Sequence, residues 1–94
     1  MLNTTIKIPV KEERIADAIF ISNGFSKFNT GERNFHDTFT QAGIKTSPFN
    51  SEKIYQKNNR LYIFGGWEAD WLGRKADYPK HIDAIDVTDL VISI

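Results

Sequence analysis

Apolar and polar positions change their period several times along the chain, and each change predicts an element. Between Thr4 and Val10, the residues Ile6, Ile8 and Val10 alternate with Thr5 and Lys7, the period of a half-buried strand. Pro9 cannot donate to a ladder, so this strand belongs at a sheet edge or ends at the proline. From Lys11 to Ser22 the period lengthens. Ile15, Ala18, Ile19 and Ser22 stand at i, i+3, i+4 and i+7 and predict a helix, with Glu12 and Glu13 at the end where the macrodipole favours acid. Asn23-Gly24 supplies a C-terminal stop. Phe20 and Ile21 fall off the stripe, which predicts a helix covered on more than one side.

A second helix is predicted from about Thr30 to Ala42. Asn29 and Glu32 fit a capping pair, Phe35, Phe39 and Ala42 share a face, and Gly43 closes the segment. Thr46 to Ser51 reads as a loop around Pro48. Lys53 to Phe64 then gives the clearest local signal: two β-rich runs flank Asn58-Asn59, and asparagine tolerates the left-handed conformation of a tight hairpin turn. A two-residue turn places Lys57 opposite Arg60, Gln56 opposite Leu61, Tyr55 opposite Tyr62, Ile54 opposite Ile63 and Lys53 opposite Phe64. One face then carries Ile54, Ile63, Leu61 and Gln56, and the other Tyr55, Tyr62, Phe64, Lys53, Lys57 and Arg60.

Gly65-Gly66 is expected to break the hairpin, and Trp67 to Leu72 to form one or two helical turns ended by Gly73. Tyr78-Pro79 marks another turn. The tail from Ile82 to Ile94 is rich in Ile and Val, and Leu90 to Ile94 reads as a closing strand. Together these elements predict an α+β domain: a small, mainly antiparallel sheet of three to four strands with two helices on one face, in the order β-α-α-β-β-(short α)-β.

Composition narrows the chemistry. Ninety-four residues are expected to form a single domain. Forty percent apolar residues, with seven Phe, three Tyr and two Trp, exclude a disordered polar tail. Twelve basic residues balance twelve acidic ones, so the overall field signals neither a nucleic-acid binder nor a mimic of one. There is no cysteine, which removes disulfides, thiolate metal sites and cysteine nucleophiles. The longest apolar run, Ala18 to Ile21, is four residues, far below the roughly 20 of a membrane span. No signal peptide is read at the N-terminus, and a cytoplasmic location is expected.

Catalytic and metal-binding spacings are missing. Gly65-Gly66 lacks the further glycine and the Lys-Ser/Thr of a phosphate loop. His36 and His81 stand far apart, and Asp83, Asp86 and Asp89 recur every three residues without the glycine or terminal glutamate of a calcium loop. No strand-turn-helix elbow presents Ser22, Ser26, Ser47, Ser51 or Ser93 as a nucleophile. Glu68, Asp70 and His81 flank the Trp-rich segment and would have to converge for an acid-base site. The expectation is therefore a protein without catalytic activity, cofactor or metal.

Two segments invite a binding role. The hairpin face with Tyr55, Lys57, Arg60 and Tyr62 is an aromatic-basic stripe, and Tyr and Arg are frequent interface anchors. The same stripe can stack bases at about 1–3 kcal/mol each. Its structural alternative is a Tyr55–Tyr62 cross-strand pair with Lys57 and Arg60 solubilising the tip. Lys57 facing Arg60 juxtaposes like charges, a cost that an anion would relieve. The second segment carries Trp67, Trp71 and Arg74; one tryptophan is expected in the core and the other, beside Arg74, on the surface.

Ile6 to Ile19 reads I-K-I-P-V-K-E-E-R-I-A-D-A-I, which resembles the opening of small phage-encoded proteins that begin with a strand and continue into a helix. That resemblance supplies no functional residue. It implies a phage origin and, with it, a domain that binds a host protein and blocks its surface, as anti-CRISPR and other counter-defence proteins do. The reading reached is a non-catalytic protein-binding domain acting by steric occlusion of a larger partner, as a monomer or homodimer, with no membrane contact. Its contact residues are expected to be Tyr55, Lys57, Arg60, Tyr62, Trp67, Trp71 and Arg74. The alternative is a nucleic-acid-binding module on the same hairpin face, which steep salt dependence would reveal.

Overall fold

The computed structural model describes residues 4–13, 15–29, 31, 35–44, 53–67 and 80–92. Five strands form one antiparallel sheet: β1 (Thr5–Pro9), β2 (Ser26–Phe28), β3 (Ile54–Lys57), β4 (Arg60–Trp67) and β5 (His81–Asp86), in the spatial order β1-β5-β4-β3-β2. Three helices accompany them: α1 (Ala16–Ser22), α2 (His36–Gln41) and α3 (Thr88–Ile92). The α+β class and the antiparallel sheet hold. The sheet has five strands rather than three to four, and the described order is β-α-β-α-β-β-β-α.

The hairpin turns as its asparagines require. Asn58 and Asn59 adopt φ of 53° and 64°, the left-handed pair of a type I′ turn. Tyr55 therefore faces Tyr62, Gln56 faces Leu61 and Lys57 faces Arg60. Gly65-Gly66 does not break the second strand; β4 runs through both glycines to Trp67, with a bulge between Phe64 and Gly66. A Cβ on Gly65 would lie 2.8 Å from Ile85 Cγ1 and 3.2 Å from Asp83 Cβ. Gly66 has a φ of 128°, where side chains are strained. The inserted residue advances the pleat, so Phe64 and Trp67 come to lie on one face, ring edge to ring face at 5.7 Å. Trp67 is thus a strand residue, and the rest of the expected helical turn lies outside the described residues.

The sheet is covered on both faces, not one. Strands β2 to β5 are successive neighbours, while β1 lies beside β5 at the far edge. The chain from β1 to β2 must therefore cross the sheet, and α1 makes that crossing. Ile19 and Phe20 of α1 are fully buried against Ile8, Phe25, Tyr55, Ile82 and Ala84. On the opposite face, Phe35, Phe39 and Ile44 from the α2 region and Val87 and Val91 from the α3 region pack on Ile54, Leu61 and Ile63. Both hairpin faces are apolar enough to need cover, and the topology supplies a helix to each.

Element boundaries differ from the sequence expectation for local reasons. α1 begins at Ala16, with Ile15 in extended geometry (φ −126°, ψ 134°) as its N-cap residue. Its buried side is Ile19 and Phe20, while Ile15 and Ala18 are exposed, so it is covered on one side only. α2 begins at His36 rather than near Thr30; Asn29 accepts from the Gly31 N–H at 2.8 Å, and its expected capping partner Glu32 lies outside the described residues. Leu90 to Ile92 of the predicted closing strand belong instead to α3, and Ser93 and Ile94 lie outside the described residues. Asp86 Oδ1 accepts from the Thr88 N–H at 3.0 Å and from its hydroxyl at 2.6 Å, satisfying a donor at the helix start. Val87 and Val91, one helical turn apart, are buried together. No helix among the described residues is long and apolar enough to cross a membrane.

Candidate functional site

The two ends of the hairpin differ in how much they leave unsatisfied. At the turn end the cations are engaged within the fold. Lys57 Nζ donates to the Asn23 carbonyl oxygen at 2.8 Å, at the C-terminus of α1, and lies 5.1 Å from the Phe25 ring centroid. That carbonyl is one of the helix's final acceptors, where a cation is favoured. Arg60 Nε donates to Asp86 Oδ2 at 2.8 Å. The Asp86 carboxylate also holds Thr88, and the Thr88 hydroxyl oxygen accepts the Leu61 N–H at 2.8 Å. Burial pushes the Asp86 carboxyl up. The bonds from Arg60 and Thr88 together outweigh it, leaving Asp86 below the ordinary carboxylate range. The same Asp86 bond raises the Arg60 guanidinium. Both members of the like-charged cross-strand pair thus find their compensation inside the molecule.

Tyr55 is also an interior residue. It is 2% exposed and stacks on Phe20 with ring centroids 4.0 Å apart and planes 3° from parallel. Its hydroxyl donates to Asp17 Oδ1 at 2.8 Å, and burial followed by the Asp17 carboxylate pushes its ionisation well above the usual range. Asp17 Oδ1 also stands 3.3 Å from Lys27 Nζ, so its charge is balanced locally. Tyr62 is half-buried, edge to face with Phe25 at 5.4 Å. The aromatic face expected to point outward is thus largely the seat of α1.

The other end of the hairpin is open among the described residues. A cleft of about 200 Å³ lies between the start of α1 and the strand ends, lined by Ile15, Ala16, Asp17, Lys53, Tyr55, Phe64 and Trp67. Phe64 and Trp67 are half-buried, and Ile15 is 67% exposed. Ile15 projects there because α1 starts one residue after it. Lys53 is exposed on the same rim. A second groove of about 210 Å³ crosses from β1 to the turn, lined by Ile6, Lys7, Ile8, Phe25, Lys57 and Tyr62 among others, but its cations are engaged, Lys57 by Asn23 and Lys7 by Asp83.

Of the seven residues expected at the contact surface, the five described ones do not line a single cleft. Tyr55 and Trp67 line the open cleft, Lys57 and Tyr62 line the second groove, and Arg60 is tied to Asp86. Trp71 and Arg74 lie outside the described residues. Of the acid-base candidates, Glu68 and Asp70 also lie outside them, and His81 is on β5 opposite Pro9. The three aspartates diverge in role: Asp83 Oδ1 pairs with Lys7 Nζ at 2.8 Å, Asp86 caps α3, and Asp89 is exposed in its first turn. Among the described residues no group of three or more His, Asp or Glu side chains is placed to hold a metal ion. Sequence reasoning put Ile15 on the helix stripe and Lys53 and Phe64 on the aromatic-basic hairpin face, and named none of the three as a contact residue. The usable signal was a Gly-Gly pair inside an aromatic strand, which marks a bulge that re-aims a side chain.

No family model matches this chain, and no curated protein or solved structure matches it.

Proposed function

We propose that this chain is a small non-catalytic domain that docks on a larger protein partner and works by covering the partner's surface, as a phage-encoded inhibitor of a host defence system of the anti-CRISPR kind would. The observation that supports this reading is Ile15, a large apolar side chain 67% exposed on the wall of a cleft walled by Phe64 and Trp67. Half-buried aromatics beside an exposed aliphatic group match the anchor pockets where interface energy concentrates. The contact surface is accordingly placed at Ile15, Phe64, Trp67 and Lys53 rather than at the hairpin turn. The turn offers less to a phosphate backbone, because Lys57 and Arg60 are already engaged by Asn23 and Asp86.

Affinity purification from a host lysate, with and without nuclease, tests this by comparing the natural chain with Ile15→Glu. A protein retained by the natural chain, lost by I15E and indifferent to nuclease supports the reading. Retention that nuclease abolishes, or that I15E leaves intact, contradicts it.

A further inference from the structure

The cleft's shape and charge narrow what it takes. At about 200 Å³ it falls below the roughly 300–1,000 Å³ of small-molecule sites and suits a single inserted side chain. Its walls at Ile15, Phe64 and Trp67 are apolar, so that side chain is apolar. The rim carries two charged groups of opposite sign in different states. Asp17 is engaged by the Tyr55 hydroxyl and by Lys27. Lys53 has no partner among the described residues and is exposed. An incoming group therefore meets an apolar slot beside an uncompensated ammonium.

We infer that the cleft receives the C-terminal residue of a protein partner, a large apolar residue whose side chain enters the slot while its α-carboxylate pairs with Lys53. A chain terminus joins the two required features on one residue, as a slot for one side chain with a cation in its own lining demands. Specificity divides accordingly: Ile15, Phe64 and Trp67 select an apolar side chain, and Lys53 selects a chain end over an internal segment. This rests on the docking function proposed above and names the part of the partner that it engages.

The test uses the full chain, labelled with 15N, and three peptides: acetyl-Gly-Gly-Leu as the free acid, the same peptide as its C-terminal amide, and acetyl-Gly-Leu-Asp-Gly-amide. Chemical-shift titration is expected to move the signals of Ile15, Phe64 and Trp67. The free acid should bind about fivefold more tightly than the amide, the scale of a solvent-screened ion pair. Raising salt should narrow that ratio, and Lys53→Gln should bring it close to one while leaving the thermal midpoint unchanged. Equal affinities for acid and amide overturn the terminus inference, as does failure of all three peptides to bind. The internal aspartate peptide binding as tightly as the free acid also overturns it, in favour of an acidic internal segment. None of these results touches the docking function itself, which is decided separately by partner retention in I15E.

Discussion

The turn of the β3–β4 hairpin and its open end use the same residue types, aromatic rings beside cations, and put them to opposite uses. At the turn, Lys57 caps the carbonyl end of α1 and Arg60 is held by Asp86, while Tyr55, between the two ends, lies flat on Phe20 and lines the cleft. At the open end, Trp67 and Phe64 are half-buried, Ile15 is exposed and Lys53 stands at the rim. A ring next to a charge is thus no signal of recognition by itself. What separates a structural group from one available for binding is whether its charge and apolar surface are already compensated inside the fold.

The largest effect expected is at the buried Tyr55. Tyr55→Ala removes a fully buried ring between α1 and the sheet and should destabilise by about 3–5 kcal/mol, the usual cost of truncating a core aromatic. Urea denaturation measures it. The ionisation of Tyr55 gives an independent check. Its folded-state pKa is raised, so its contribution to stability is complete below the unfolded value of about 10 and is lost as pH rises above it. Absorbance titration should show the Tyr55 phenol withheld from ionisation until the protein unfolds.

Gly65→Ala comes next. The added Cβ would stand 2.8 Å from Ile85 Cγ1, so the Ile85 side chain or the strands must shift, at about 1–3 kcal/mol. Because the bulge aims Trp67, this variant should also change the indole fluorescence, which distinguishes it from a generic loss of stability.

Asp86→Asn should cost a similar or smaller amount, about 1–3 kcal/mol, and it should alter the pH profile. The folded pKa of Asp86 is lowered, so its stabilisation is present above the unfolded value of about 3.9 and is lost as pH falls through the folded one. Stability measured by denaturant titration should therefore decline less steeply below pH 4 in D86N than in the natural chain. An unchanged acid limb would show that the Arg60–Asp86–Thr88 cluster is not what holds the turn end together. Ile15→Glu is the smallest, within about 0.5 kcal/mol, as for most exposed positions.

The hairpin was legible because its determinants are local. Asn58-Asn59 fixes both the left-handed turn and the pairing, and the alternation separates Ile54, Leu61 and Ile63 from Tyr55, Tyr62 and Phe64 without reference to the rest of the chain. The partners of those faces were not legible, since they depend on which strands neighbour one another. Once β1 and β2 occupy opposite edges, α1 must cross the tyrosine face, and no period within Lys53 to Phe64 encodes that. β2 was missed because three residues are too few to show alternation. α3 was misread because Val91 and Ile92 favour strands intrinsically, while the Asp86–Thr88 cap and the burial of Val87 with Val91 select a helix. Asp86 and Thr88 were visible as capping residue types, but the Ile and Val content of the tail hid the helix they begin. The candidate cleft depends on a bulge and on α1 starting after Ile15, both outcomes of tertiary packing.

The central claim is that the open end of the hairpin works as a binding surface while the turn end is structural. Arg60→Glu and Ile15→Glu, measured side by side for thermal midpoint and for partner retention below the midpoint, test it most directly. R60E should set two carboxylates against each other at Asp86, lowering the midpoint while the partner is still retained; I15E should leave the midpoint in place and release the partner. An R60E protein with an unchanged midpoint and no retained partner would restore the turn as the contact surface and contradict the account.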